Sequence, residues 1–236
     1  MKDMVLLVLN QIPKYFSNFI SILVGPKSFV RGRNDTSQQT LAEAMTFYGI
    51  SFVITMILSW PLMPVHVESA RFLATRALTN LIVVTIGAAL TLVSWRFVGG
   101  RAQFASYFVI GCYYVGVLIV FMMLVFLCAL GVVKILDPAL YPILAESSAH
   151  IQIVNEKLNA LINDPGNRKH LNVFLIYNLI FLIGMAAMLF WSILGWGAFR
   201  EINGLTKMRS FVAGIIAFLF TLIELPIVFV IQYVMD

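Results

Sequence analysis

Charged residues are scarce in this chain. Only 11% of its 236 residues are Asp, Glu, Lys or Arg, whereas 61% are hydrophobic and the mean hydropathy is +0.93. Soluble domains carry about 25% charged residues. The shortage of charge excludes an ordinary water-soluble domain and indicates an integral membrane protein.

Cysteine and chemical motifs are scarce as well. Cys112 and Cys128 lie in one predicted helix and would be about 24 Å apart at ~1.5 Å per residue, too far for a disulfide. The sequence has no nucleotide-binding loop, nucleophile elbow or paired-acid motif, and its three histidines lack ligand spacing. No cleavable signal peptide is evident, since the apolar stretch Met4–Leu9 is short. We therefore expect a protein that is not an enzyme and that holds no cofactor or metal.

Long apolar runs are what the sequence has in abundance. A bilayer core of about 30 Å is crossed by ~20 helical residues. Runs of this length cover about 41–63, 72–98, 103–133, 170–199 and 208–234. The sequence thus predicts one all-α membrane domain over residues 1–236, a bundle of five transmembrane helices.

Two further segments have the periodicity of amphipathic helices. In residues 3–24 the polar and apolar side chains fall on opposite helical faces, which predicts a helix lying in the membrane interface. A helix docked against the bundle fits that pattern nearly as well. In the outer loop 134–169, Ile151, Val154 and Leu158 recur at helical spacing. We expect a short amphipathic helix there, which either anchors the loop to the membrane surface or caps the bundle.

The distribution of basic residues predicts the orientation. Ten of the 16 lysines and arginines fall on the N-terminal side of the predicted spans and six on the other. The positive-inside rule then places the N-terminus in the cytoplasm and, after five spans, the C-terminus outside. Because these residues are scattered over short loops, the net charge of +5 predicts contact with anionic lipid and not with nucleic acid. The basic face that would bind anionic lipid or a partner comprises Lys14, Lys27, Arg31, Arg33, Arg101, Arg200, Lys207 and Arg209.

One acid, Glu224, lies within a predicted span. A carboxylate at bilayer depth costs roughly 2.5–3.5 kcal/mol, so it is a candidate functional residue. Glu224, Asn80 and Asn178 would lie at similar depths, about 12–14 Å below the outer boundary, and Arg76 about 6 Å below it. Either these residues form a polar site for a proton, a cation or a cationic substrate group, or a protonated Glu224 fastens helices together by hydrogen bonds.

The four tryptophans fall toward the ends of the predicted spans, where aromatic side chains commonly anchor a protein at the membrane interface. We expect this role for Trp60, Trp95, Trp191 and Trp196.

Several short elements resemble those of one known family. They are Gly25-Pro26, the Gly-Gly turn within 98–104, the Trp-rich stretch 190–196 and the basic turn 200–205. Together they resemble the Yip1-domain family of five-span membrane proteins in its compact prokaryotic form. The resemblance implies a five-helix bundle with a cytoplasmic N-terminus, located here in a bacterial inner membrane.

Eukaryotic members of that family contact Rab-type small GTPases, but this sequence departs from their pattern. Its N-terminal region is short, and its third span reads Gly-Cys-Tyr-Tyr-Val-Gly over 111–116, where eukaryotic relatives have a Gly-Tyr element followed by proline. We therefore expect a non-enzymatic membrane-organising protein whose partners are membrane lipids, another protein or a second copy of the chain. The alternative is a small transporter with a polar intramembrane site around Glu224.

Overall fold

The computed structural model describes residues 2–31, 36–62, 69–145 and 168–235, with side chains for 11–31, 36–62, 74–145 and 168–222. Every regular element in these residues is a helix, which confirms the all-α fold class. The helices, in chain order, are α1 (Lys2–Val24), α2 (Pro26–Arg31), α3 (Gln38–Ser59, followed by a 3-10 turn Trp60–Leu62), α4 (Ser69–Phe97), α5 (Phe104–Leu136), α6 (Leu140–Ala145), α7 (Arg168–Asn203) and α8 (Lys207–Met235).

Four membrane-spanning candidates are found among the described residues. By length and composition they are Gln38–Leu62, Ala74–Phe97, Phe104–Leu136 and Arg168–Asn203. They coincide with the first four predicted spans and support a protein of the membrane. The predicted fifth span lies within α8, whose side chains are described only as far as Leu222, so a fifth crossing stays a prediction.

The third and fourth spans are longer as helices than as apolar runs. Helix α5 continues past 133 to Leu136, and α7 continues past 199 to Asn203. The extra turns carry Lys134 and Arg200. A basic residue ends an apolar run in the sequence, but the helix can continue through it, because its long side chain reaches toward water while its backbone stays helical.

The chain divides into two compact units. The first consists of residues 1–53, 68–118 and 190–236, and in it α4 packs along α8. Helix α2 is set into this unit, with Phe29 and Val30 buried and the Phe29 ring edge-on to Tyr113 at 4.9 Å. The part of the chain that carries Lys27 and Arg31 of the predicted basic face is therefore a helix with an apolar side.

The second unit consists of residues 54–67 and 119–189. Its core joins the end of α5, all of α6 and the start of α7 through Leu130, Val133, Leu140, Leu144 and Val173. The chain turns from α5 to α6 at Asp137, whose carboxylate accepts a hydrogen bond from the backbone N–H of Leu140. A pair between Asp137 and His170 then fixes this corner to α7.

The interfacial role expected for the tryptophans is wrong for two of them. Trp95 is fully buried and Trp191 is 7% exposed. Both are used in packing: Trp95 stacks on Trp196 at 5.2 Å, and Trp191 donates its indole N–H to the carbonyl of Leu23. Position near a span end therefore did not decide exposure, because a neighbouring helix covers these two rings.

The structure tests the two predicted amphipathic helices only in part. Helix α1 covers the segment predicted over 3–24, while its location in the membrane interface stays a prediction. The short helix predicted in the outer loop around Ile151, Val154 and Leu158 lies outside the described residues. Helix α6 does lie in the predicted outer loop, at its start.

Candidate functional site

The predicted intramembrane residues lie on three helices. Asn80 on α4 donates its side-chain amide to the carbonyl of Arg76 at 2.8 Å, and Asn178 on α7 donates to the carbonyl of Phe174 at 2.8 Å. Each amide group therefore bonds to the preceding turn of its own helix. Asn80 belongs to the first unit and Asn178 to the second, and the side chain of Glu224 on α8 lies outside the described side chains. A shared polar site at this level stays a prediction.

Two turns of the first unit are joined by Asn203. Its Oδ1 accepts hydrogen bonds from the backbone N–H of Ala102 at 3.2 Å and from the hydroxyl of Tyr107 at 3.0 Å. Its Nδ2 donates to the carbonyl of Phe199 at 2.8 Å. The turn between α4 and α5 is thereby held against the turn between α7 and α8.

Glycines make both turns possible. Gly99 has φ 92° and Gly204 has φ 60°, backbone conformations that cost other residues energy. At Gly100 a Cβ atom would lie 2.6 Å from Asn203 Oδ1 and 2.8 Å from the carbonyl oxygen of Trp95. The Gly-Gly pair noted in the sequence is therefore required by the close approach of these two turns.

Helix α2 is attached beside the second turn by ion pairs to Glu201. The Oε1 atom of Glu201 lies 2.8 Å from Lys27 Nζ and 2.9 Å from Arg31 Nη2, and its Oε2 accepts from Arg31 Nε at 3.1 Å. Hydrogen bonding and charge attraction from Glu201 raise the pKa of Arg31 above its usual value. Two residues of the predicted basic face are therefore paired with an acid.

The other basic residues of these turns keep their charge available. Arg101, Lys207 and Arg209 are exposed and Arg200 is half-buried. Within the described residues, no ion pair joins any of these four to an acid. A Nη atom of Arg209 lies 3.5 Å from the position of a Cβ on Gly99, so it reaches across from α8 to the other turn. We call Arg101, Arg200, Lys207 and Arg209 the basic loop end. Arg33 lies outside the described residues.

Lys14, the remaining basic residue, lies in a groove of about 380 Å³ between α1 and α3. Its Nζ is 2.8 Å from Glu43 Oε1, which also accepts a longer bond from Gln39 Nε2 at 3.4 Å. The polar lining of the groove consists of Gln11, Lys14, Asn18, Gln39, Glu43 and Thr46. Tyr15 and Phe47 also line it, with their rings stacked at 4.8 Å.

The sequence has a polar pattern that matches this groove, but it lies within a stretch of high average hydropathy. Gln39, Glu43 and Thr46 lie on one helical face at the start of α3, since they are spaced by four and three residues. The predicted first span, which begins at about 41, includes Glu43 and Thr46 within an apolar run. The polar residues of α1 carry the matching pattern at 11, 14 and 18. Nothing in the sequence alone shows that the two faces meet.

In the described part of the second unit, Asp137 and His170 form a titratable pair, with the His170 imidazole bonded through Nδ1. Burial by itself would raise the pKa of Asp137, but the hydrogen bonds from His170 and from the backbone of Leu140 and Ala139 hold it below the usual value. Among the described residues no group of three or more His, Cys, Asp or Glu side chains could hold a metal ion.

Comparisons with known proteins give no relative for this chain. No family, curated protein or solved structure matches it.

Proposed function

We propose that the chain is a non-enzymatic membrane protein that binds anionic lipid at its basic loop end and thereby organises the membrane around it. In this proposal it is a compact prokaryotic relative of the Yip1-domain family, with five spans in the bacterial inner membrane, a cytoplasmic N-terminus and the C-terminus outside.

The observation that carries the proposal is the junction of the two turns through Asn203. The junction brings Arg101, from one turn, close to Arg200, Lys207 and Arg209, from the other. These residues span more than a hundred positions of sequence, yet belong to one end of the first unit. A lysine or arginine near an anionic membrane surface contributes about 1 kcal/mol of attraction.

The pairing of α2 with Glu201 supports the same proposal. Lys27 and Arg31 neutralise the acid that lies next to Arg200. Without this pairing, the Glu201 carboxylate would offset part of the attraction of the basic loop end for phosphate. The acid therefore attaches α2, and the four cations remain for the lipid.

The exposure of α1 supports its predicted place in the interface. Ile12, Phe16, Ile20 and Val24 follow one another at intervals of four residues and are 38–82% exposed. On the opposite side, Tyr15, Asn18 and Ile22 are buried. An apolar stripe turned away from the protein is suited to the boundary between headgroups and acyl chains.

The test is the affinity of the intact protein for phosphatidylglycerol, measured by native mass spectrometry from detergent with phosphatidylcholine as the neutral reference. Replacing Arg101, Lys207 and Arg209 together by Gln should weaken phosphatidylglycerol binding by roughly a hundredfold, about fivefold for each cation. The matched control replaces Lys134, Arg168 and Lys169 by Gln, since these are three exposed cations of the second unit.

The proposal predicts that the control variant keeps wild-type affinity and that the wild-type affinity falls with added salt. Equal losses in both variants would mean that only total charge matters, and the basic loop end would then have no special role. A transporter with a site around Glu224 remains the alternative function.

A further inference from the structure

The groove between α1 and α3 differs from the basic loop end in its charge balance. Among the side chains that the structure describes, its lining contains one cation, Lys14, and one anion, Glu43, with four neutral polar side chains. An anionic ligand at Lys14 would therefore also meet a carboxylate a few ångströms away. A ligand complementary in charge to the groove carries a negative group that faces Lys14 and a positive group that faces Glu43.

The groove also connects with an apolar surface. Ile50 belongs to its lining, and Val53 follows three residues later on the same helical face, 54% exposed. On α1, Phe16 adjoins Tyr15 of the lining and is 53% exposed. Polar lining that continues into exposed apolar side chains suits an amphiphile, whose headgroup is polar and whose chains are not.

We propose that this groove binds the headgroup of a zwitterionic phospholipid with a primary ammonium group, as in phosphatidylethanolamine. The phosphate lies against the ammonium group of Lys14, and the ligand ammonium donates hydrogen bonds to the Glu43 carboxylate. The acyl chains leave the groove along Ile50 and Val53. This site is separate from the basic loop end, so it goes beyond the proposed function and does not depend on it.

The existing pair between Lys14 and Glu43 prepares the groove for such a ligand. Their side chains are 47% and 29% exposed, and a pair this open to water contributes little to stability. With the ligand bound, Lys14 faces the phosphate and Glu43 faces the ammonium group, so each charge keeps an opposite charge beside it. The ordered pair also holds both groups at the groove in the absence of lipid.

A primary ammonium group fits better than a quaternary one. It can donate hydrogen bonds to a carboxylate, which a trimethylammonium group cannot. Hydrogen bonds to charged groups are stronger than those between neutral groups, and we expect the preference for phosphatidylethanolamine over phosphatidylcholine to be about tenfold.

Two single substitutions test the assignment of each charge. Native mass spectrometry of the full chain would give the affinities for phosphatidylethanolamine and phosphatidylcholine. Glu43→Gln should reduce the tenfold preference to about threefold or less, because a neutral amide oxygen accepts a weaker hydrogen bond from the primary ammonium than a carboxylate does. Lys14→Gln should lower the affinity for both lipids to a similar extent, about tenfold, because both carry the same phosphate. The ratio of the two affinities should therefore stay unchanged.

The triple substitution at Arg101, Lys207 and Arg209 serves as the control. It should leave phosphatidylethanolamine binding within about twofold of wild type, whatever it does to phosphatidylglycerol. Phosphatidylglycerol binding therefore tests the proposed function at the basic loop end. The preference for phosphatidylethanolamine over phosphatidylcholine tests the groove. A thermal unfolding curve of each variant verifies that both single variants are folded.

Two results would overturn the proposal. One is a wild-type protein with equal affinity for phosphatidylethanolamine and phosphatidylcholine. The other is a Glu43→Gln variant that keeps the preference. Soluble glycerophosphoethanolamine should compete at least tenfold more weakly than the lipid, since it lacks the chains that contact Ile50 and Val53. Equal potency would show a site for a free zwitterion and contradict the assignment to lipid.

Discussion

Single residues at the two turns of the first unit determine how its helices meet. Gly100 shows this most directly, because its backbone N–H donates to the carbonyl of Trp95 at 2.8 Å while Asn203 occupies the space beside it. A side chain at this position would displace the amide that joins the two turns. The geometry of the basic loop end therefore depends on a residue that carries no charge.

Gly100→Ala should destabilise the protein by roughly 1–3 kcal/mol, because the added methyl group meets backbone and Asn203 atoms at under 3 Å. The measurement is unfolding in increasing SDS. Gly49→Ala is the matched control, because Gly49 lies inside α3 with nothing within 4 Å of an added Cβ. Alanine is favoured over glycine in helices, so the control should be unchanged or more stable by about 0.5–1 kcal/mol. Similar destabilisation of both variants would contradict the close approach at Gly100.

At the scale of elements, α2 depends on contacts that its own sequence does not supply. A helix of six residues is too short to be stable alone. It is held by burial of Phe29 and Val30 and by the ion pairs of Lys27 and Arg31 with Glu201. Both kinds of contact come from other helices, since Phe29 packs on Tyr113 of α5 and Glu201 belongs to α7.

Loss of the Glu201 carboxylate should loosen α2. In a protein with Cys112 and Cys128 replaced by Ala, a cysteine introduced by Val30→Cys should react slowly with maleimide, because Val30 is 3% exposed. Adding Glu201→Gln should accelerate labelling about two- to fivefold, a modest change because ion pairs this exposed to solvent are weak. Glu43→Gln removes an ion pair from the groove instead and should leave the rate unchanged. An unchanged rate in the Glu201 variant would mean that apolar burial alone holds α2.

The sequence predicted the helices better than their contacts. Apolar runs located four spans, because hydropathy depends on each stretch of chain by itself. The same approach missed α2, since a six-residue helix with two basic residues has too few apolar positions to register. It also misplaced Trp95, which stacks on Trp196, 101 residues later. The groove was missed for the same reason: Lys14 was placed on the basic face, and its partner Glu43 is 29 residues away in the sequence.

At the scale of the whole molecule, the open question from the sequence is the number of crossings. Helix α8 runs from Lys207 to Met235, and Lys207 and Arg209 stand at its start. Basic residues are retained on the cytoplasmic side, so a helix of 29 residues that begins with them would end on the other side of the membrane.

Fusion of a bacterial alkaline phosphatase, active only outside the cytoplasm, tests that crossing. A fusion after Asp236 should be active in intact bacteria, and a fusion after Thr206 should be inactive. Green fluorescent protein at the same two positions should give the reverse pattern. An inactive phosphatase at Asp236, with a fluorescent protein that is bright there, would mean an even number of spans and a C-terminus in the cytoplasm.

The buried Trp95 indole, stacked on Trp196, has a consequence for spectroscopy. Two indoles 5.2 Å apart share their electronic excitation, so the pair contributes a coupled signal to the circular dichroism spectrum that isolated tryptophans do not give. Trp196 donates its N–H to the carbonyl of Ser210, one residue from Arg209, and Trp95 precedes the turn that carries Arg101. The pair thus lies at the end that we assign to anionic lipid, and its circular dichroism signal offers a measurement, without an attached dye, of whether lipid binding there changes the packing of the two turns.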